Sequence, residues 1–385
     1  MHLACRSALA VAASVAVAAC KGGGSADAGS TQAAGGGASV RVGAALSMTG
    51  PAAVYGATQK NGIQAAADQV NAQGSPGGVK LEVLFEDDGS SKEQGINVFQ
   101  KFINQDKVSV IMGPTLSTTA TAADPLAQQA RAPVLAISNT SPTGITDIGD
   151  YIWRDSLTEA QVIPGAVKKA HQKLGFKTAG VLYGNDDVFT KAGYDVMKKS
   201  LDAEGVKVLE TQTFAKPDRD FNAQLTALKG RNPDILVVSA LADNAAAIVT
   251  QARQLGYTGP ILGGNGFNSP AFIKNAGPAA EGVLVGTSWN SGSTEPANAA
   301  FKEATQKRGA SADQFSAQAW TGVLIIAEAV RKAGNKTGRD EIKAGFAQVK
   351  DLDTPLGKFS FNEKRDAQHE PSVQQVKGGK FEILQ

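Results

Sequence analysis

From Val40 onward, short apolar runs alternate with longer amphipathic stretches. The first runs are VRVGAAL, VKLEVLFE, VSVIMG, APVLAIS and YIWRD. They are rich in β-branched and apolar residues and bounded by Gly, Pro, Asp and Ser, the pattern of buried strands. Between them the spacing predicts helices over Thr58–Gln73 and Lys92–Gln105. A second set follows: TAGVLYG, VKVLETQTF, DILVVSA, GPILGG and EGVLVGTSW, with helices predicted over Thr190–Glu204, Phe221–Lys229 and Asn244–Leu255. Strand alternating with helix implies parallel sheets covered on both faces. Corresponding strands of the two sets start about 130 residues apart, a domain-scale repeat. The folded part therefore reads as two similar α/β lobes. The C-terminal part breaks this rhythm, with helices over Pro296–Arg308, Ser316–Ala333 and Asp340–Val349 and then short strands in GKFSFN, SVQQVK and KFEILQ.

The N-terminus has a different pattern. A basic start at Arg6 precedes an unbroken small and apolar run from Ala8 to Ala19. That run is too short for a permanent membrane span and suits a signal-peptide core. Val17-Ala18-Ala19-Cys20 resembles a bacterial lipobox, in which Cys20 is lipidated and becomes the first mature residue. The alternative is an ordinary secretory signal cleaved near Ala19. Residues 21–39, KGGGSADAGSTQAAGGGAS, carry almost no apolar bulk and read as a flexible tether.

Composition removes several kinds of chemistry. The net charge of +2 over 385 residues gives no basic field for nucleic acid. The two cysteines, Cys5 and Cys20, lie in the first twenty residues, so a lipidated Cys20 leaves no free thiol. Of three histidines, His171 and His369 lie in the folded part, far apart, and are expected on the surface. A zinc site of the usual ligands is not expected. There is no G-x-S-x-G elbow, phosphate loop or G-x-G-x-x-G fingerprint. The adjacent acids Asp87-Asp88 and Asp186-Asp187 read first as turn and capping residues.

In open α/β sheets ligands gather beyond the carboxyl ends of the strands. The segments there are polar: SMTGPAAVYG, DDGSS, GPTLSTT and SNTSP in the first set, and YGNDDVF, LADN, GGNGFNSP and SWNSG in the second. In GPTLSTT, Ser117 or Thr118 can cap the following helix. The same helix start, with hydroxyls beside unpaired N–H groups, also suits a carboxylate. Ser138-Asn139-Thr140 repeats the arrangement after the next strand.

With these stretches in order, Val40–Gln385 resembles the branched-chain amino-acid-type periplasmic binding proteins that serve ABC importers. The resemblance is carried by GAALSMTGPAAVYGATQKNGIQAAADQVNAQG, LFEDDGSSKEQGINVFQKFI, VIMGPTLSTTATAADPLAQQARAPVLAISNTSP, PDILVVSALADNAAAIVTQARQLG and ILGGNGFNSPAFIKNAGPAAEGVLV. It implies two Rossmann-like lobes joined by three crossovers, the type I periplasmic binding fold, closing on a ligand. It implies no enzymatic activity and no cofactor or metal. The implied organisation is a leader over 1–19, lipidated Cys20 and tether over 20–39, a first lobe over 40–157 with 290–355, and a second over 158–289 with 356–385. The implied carboxylate positions are Ser117, with Thr118 close by, and Ser138, Asn139 and Thr140. The implied aromatics are Tyr55 and Phe189.

This chain departs from the family pattern in places. Amino-acid binders usually place an acid in the loop matching GGNGFNSP, to meet the ligand's ammonium, and here Asn265 stands there. Either Asp243, Asp186 or Asp187 substitutes, or the ligand has no ammonium, since a buried ammonium needs a countercharge. A frequent second-lobe aromatic is replaced by Leu241, and Gly89 and Leu116 stand where some members have a disulfide. The expected role is an anchored, extracytoplasmic, monomeric binding protein that delivers an amino acid or related carboxylate or amide to an ABC permease. A ligand sensor reporting to a regulator or receptor is the alternative, and a hydrolase on this scaffold is disfavoured by the scarcity of His and Cys.

Overall fold

The computed structural model describes residues 39–74 and 76–385. The leader, Cys20 and all but the last residue of the tether expected over 20–39 lie outside the described residues; that last residue, Ser39, opens the first strand instead. The first lobe opens with β1 (Ser39–Leu46), α1 (Ala53–Ala72), β2 (Lys80–Asp87), α2 (Lys92–Gln100), β3 (Val110–Met112), α3 (Ser117–Gln129), β4 (Val134–Ala136) and β5 (Ile152–Arg154). These strands form a five-stranded parallel sheet in the order β2-β1-β3-β4-β5. Strands β3, β4 and β5 are short and fully buried, as expected where helices cover both faces.

The second lobe runs through α4 (Glu159–Leu174), β6 (Thr178–Gly184), α5 (Val188–Ala203), β7 (Lys207–Phe214), α6 (Asn222–Gly230), β8 (Ile235–Ser239), α7 (Ala242–Gln254), β9 (Ile261–Gly263), α8 (Pro270–Ala276) and β10 (Leu284–Thr287). The chain then returns to the first lobe with α9 (Pro296–Lys307), α10 (Gln314–Lys332) and α11 (Arg339–Phe346), followed by β11 (Leu352–Thr354), β12 (Gly357–Phe361) and β13 (Ala367–Gln368). Strands β14 (Ser372–Lys377) and β15 (Lys380–Ile383) complete the second sheet, β15-β14-β10-β9-β8-β6-β7, in which β14 runs antiparallel to both β10 and β15. The chain thus passes between the sheets three times, after β5, after β10 and after β13. Phe359 and Ala367 pack into the core of the first lobe, so the third passage falls between Gln368 and Ser372, later than residue 356.

The first passage is pinned by a buried ion pair. Arg154 at the end of β5 gives its Nε and Nη2 protons to Asp366 Oδ1 at 2.9 and 2.6 Å. Its Nη1 reaches the carbonyls of Asn139 and Ser141, which fixes the loop after β4. His369, in the third passage, departs from the surface position expected for it: both ring nitrogens are buried without partners. Burial holds its imidazole down at about 4. His171 is half-buried on α4, 3.6 Å from Glu204.

Candidate functional site

The carboxyl ends of both sheets face a shared cleft, lined from the first lobe by Tyr55, Thr115, Leu116, Ser117, Ser138 and Thr140. From across it come Phe189, Leu241, Asn265 and Gly266, with Phe315 from the start of α10. The cavity left between these side chains has a volume of only about 20 Å³. Its walls therefore nearly touch.

Direct bonds account for this closeness. Tyr55 Oη donates to Gly266 O at 2.8 Å and accepts from Ala242 N at 2.6 Å, with the ring fully buried and the phenol pushed well up by desolvation. A Cβ at Gly266 would lie 2.2 Å from Ala240 O, so only glycine lets that loop sit against the end of β8. At a second point Thr118 Oγ1 donates to Asp187 Oδ2 at 2.8 Å and accepts from Val188 N at 2.9 Å. Asp187 also caps α5 through Thr190 N and pairs with Lys216 at 3.0 Å.

Helix α3 begins in an unusual way. Its N-cap is Leu116, which offers no side-chain acceptor, and Ser117 and Thr118 are the first two helical residues. The capping role open to Ser117 or Thr118 is thus not taken. The N–H groups of Ser117 and Thr118 have no acceptor among the described residues. They carry the positive end of the helix to the cleft wall. Ser117 Oγ accepts weakly from Ser141 N at 3.4 Å, which leaves its proton for a ligand. A sharp turn delivers the chain here: Gly113 has φ 105°, and a Cβ on it would lie 2.1 Å from Ala45 O.

The other hydroxyls and amides expected at the cradle are already engaged. Ser138 Oγ donates to Thr115 O and accepts from Gln59 Nε2, both at 2.7 Å. Thr115 Oγ1 donates to Gln59 Oε1 at 2.7 Å and accepts from Ser47 N at 2.9 Å. Asn139 Nδ2 ties back to Pro114 O and Thr115 O, and its Oδ1 is buried without a partner. Thr140 Oγ1 donates to Glu159 Oε1 at 2.9 Å. Ser138, Thr115 and Gln59 therefore brace the wall behind Ser117.

The rest of the lining is apolar and comes from both lobes. Tyr55, Leu116, Phe189, Leu241 and Phe315 belong to one buried cluster, with the rings of Tyr55 and Phe315 4.3 Å apart. Phe315 was absent from the sequence reading. Its signal was weak: it lies just inside α10, whose capping box is made by Asp313 and Ser316.

Asn265 lines the cleft with its amide oxygen fully engaged and one of its two amide protons given away. Nδ2 donates to Glu159 Oε1 at 3.1 Å, and Oδ1 accepts from Gln314 Nε2 at 3.2 Å and Asn268 Nδ2 at 3.3 Å. None of the three candidate acids lines the cleft. Asp243 faces Asn275 Nδ2 at 3.4 Å, Asp186 is exposed and binds Lys216 N, and Asp187 is held by Lys216 and Thr118. The acid that does approach is Glu159, which the sequence reading passed over. It is fully buried, and burial raises its carboxyl to about 7. Among the described residues no cluster of His, Cys, Asp and Glu could hold a metal ion.

The family model for periplasmic binding proteins matches residues 39–380. A leucine-, isoleucine-, valine-, threonine- and alanine-binding protein of Pseudomonas aeruginosa is 27% identical over 329 residues, covering 85% of this chain and 87% of its own. The crystal structure of LivJ from Streptococcus pneumoniae with isoleucine superposes with a TM-score of 0.84 at 26% identity, covering 90% of this chain and 99% of that one. An ABC-transporter solute-binding protein of R. palustris in complex with 4-hydroxybenzoate has a TM-score of 0.81 at 25% identity, covering 90% and 95%. The chain belongs to the periplasmic binding protein family, in its branched-chain amino-acid type: an extracytoplasmic solute-binding protein and not an enzyme.

Proposed function

We propose that the protein is the lipid-anchored substrate-binding component of an ABC importer, held at a membrane through Cys20. Its ligand is a small carboxylate with an apolar body, an amino acid in the first instance, captured by closure of the two lobes. The observation that carries this reading is the uncapped start of α3 beside an apolar wall. The Ser117 and Thr118 N–H groups and the Ser117 hydroxyl receive the carboxylate, as helix starts readily do. Ser138 and Asn139 keep that cradle in shape, and Tyr55, Phe189, Leu241 and Phe315 enclose the apolar body. Thr118 adds its hydroxyl to closure through Asp187. Asp243 does not line the cleft and faces Asn275 instead.

No described helix is long and apolar enough to cross a membrane. The near-absence of free space fits a closed arrangement that must open to admit a ligand, and ligand then favours closure through its greater affinity for the closed form. The test is calorimetry with Ser117→Ala. Loss of the hydroxyl should weaken carboxylate binding about tenfold, the worth of one hydrogen bond to a charged group. Unchanged affinity would remove the cradle.

A further inference from the structure

The ammonium-reading acid expected beside a bound amino acid is missing at Asn265, yet a buried acid stands directly behind it. We propose that Glu159 is the residue that selects a ligand bearing an ammonium group, acting through Thr140. This inference rests on the carboxylate-binding reading above and deepens it to the α-amino acid class.

The placement comes first. Glu159 is the first residue of α4, capped by Thr158, and its own N–H donates to Thr140 O at 2.8 Å. Its Oε1 receives the Thr140 hydroxyl and the Asn265 amide, both from residues that line the cleft. Its Oε2 is buried without a partner. Among the described residues no Lys, Arg or His pairs with it; the buried cation Arg154 belongs to Asp366. A buried carboxylate without a countercharge is costly, and it gains most from a cation that arrives with the ligand.

The donor count sets the direction. A hydroxyl has one proton, and that of Thr140 is given to Glu159. Thr140 Oγ1 therefore turns only lone pairs to the cleft. It is an acceptor there, suited to an N–H of the ligand and unsuited to a second carboxylate. The α3 start, by contrast, offers donors. The two polar ends of the cleft are thus complementary to the carboxylate and ammonium of one amino acid, with the aromatic wall left for its side chain. The raised carboxyl of Glu159 agrees: ionisation there is unfavourable until a positive charge is supplied. A plain carboxylate of the 4-hydroxybenzoate kind leaves that need unmet.

The test is calorimetry on matched pairs that differ only in the amino group: L-leucine with 4-methylpentanoate, and L-phenylalanine with 3-phenylpropanoate. The wild-type protein should prefer the amino member of a pair by about 30-fold or more, as expected for a desolvated charge pair. Glu159→Gln, which keeps the shape and an acceptor for Thr140, should bring that ratio to within about threefold. Thr140→Val, an independent variant, should do the same if Glu159→Gln does not fold. A wild-type preference for the desamino acids, or an undiminished preference in both variants, overturns the proposal. Binding of the desamino acids alone leaves the carboxylate cradle standing, whereas silence from both series overturns that reading as well.

Discussion

Thr118→Val removes the hydroxyl that joins the lobes at the rim while keeping the backbone N–H at the start of α3 and the branched shape of the side chain. Two bonds disappear, one to the Asp187 carboxylate at 2.8 Å and one from Val188 N at 2.9 Å. A hydrogen bond to a charged group contributes about 1.5–3 kcal/mol and a neutral one about 0.5–1.5 kcal/mol. Asp187 keeps Lys216 and Thr190 N as partners, so the lower end of the sum applies, about 2 kcal/mol. In the open form water satisfies the same groups, so the whole loss falls on closure. A 2 kcal/mol shift against the closed form lowers affinity about 30-fold when the free protein is mostly open. Calorimetry measures that loss, and scattering or a pair of fluorophores on the two lobes reports the closed fraction. An affinity within about threefold of wild type, with unchanged closure, would refute the latch.

Three further outcomes follow from the same geometry. Asp366→Ala should cost about 3–5 kcal/mol of stability, because it strands the buried Arg154 guanidinium and loosens the Asn139–Ser141 loop; urea unfolding measures it. Glu159, raised to about 7 from an ordinary 4.5, binds more protons folded than unfolded, so its stabilising contribution is complete below pH 4.5 and lost as pH rises through 7. The melting temperature of Glu159→Gln should therefore fall less between pH 5 and 7.5 than that of wild type. His369 works in the opposite sense: held at about 4, it contributes stability that is present above pH 6.5 and lost as pH falls through 4, and His369→Phe should flatten that acid limb in pH-dependent melting curves.

The two-lobe α/β plan was legible because buried parallel strands and their covering helices impose two clear periods on the sequence. Helices α4, α5 and α10 also carry written starts, with Thr158, Asp187 and Asp313 as acceptor caps. The starts of α1, α3 and α7 carry none: their N-caps are Ala52, Leu116 and Leu241. That is why α1 begins at Ala53, five residues before the predicted Thr58. It is also where the proposed carboxylate cradle lies, at α3, and where the Tyr55 hydroxyl meets Ala242 N, at α7. Glu159 was illegible for another reason. Within LTEAQ it reads as the first-turn acid of a capped helix, a local role that hides the distant contacts to Thr140 and Asn265. Thr118 and Asn265 were expected at the cleft from their local segments, but their engagements within the protein depend on contacts 69 and 106 residues away.

A melting-temperature screen against amino acids, their desamino counterparts, amides and aromatic carboxylates tests capture in the cleft most directly. Binding to the folded state alone stabilises it by mass action. Capture of a carboxylate by the α3 start predicts a concentration-dependent rise in melting temperature with at least one hydrophobic amino acid or carboxylate, abolished or weakened by Ser117→Ala. No rise with any carboxylate, or a rise with amides alone, would contradict it.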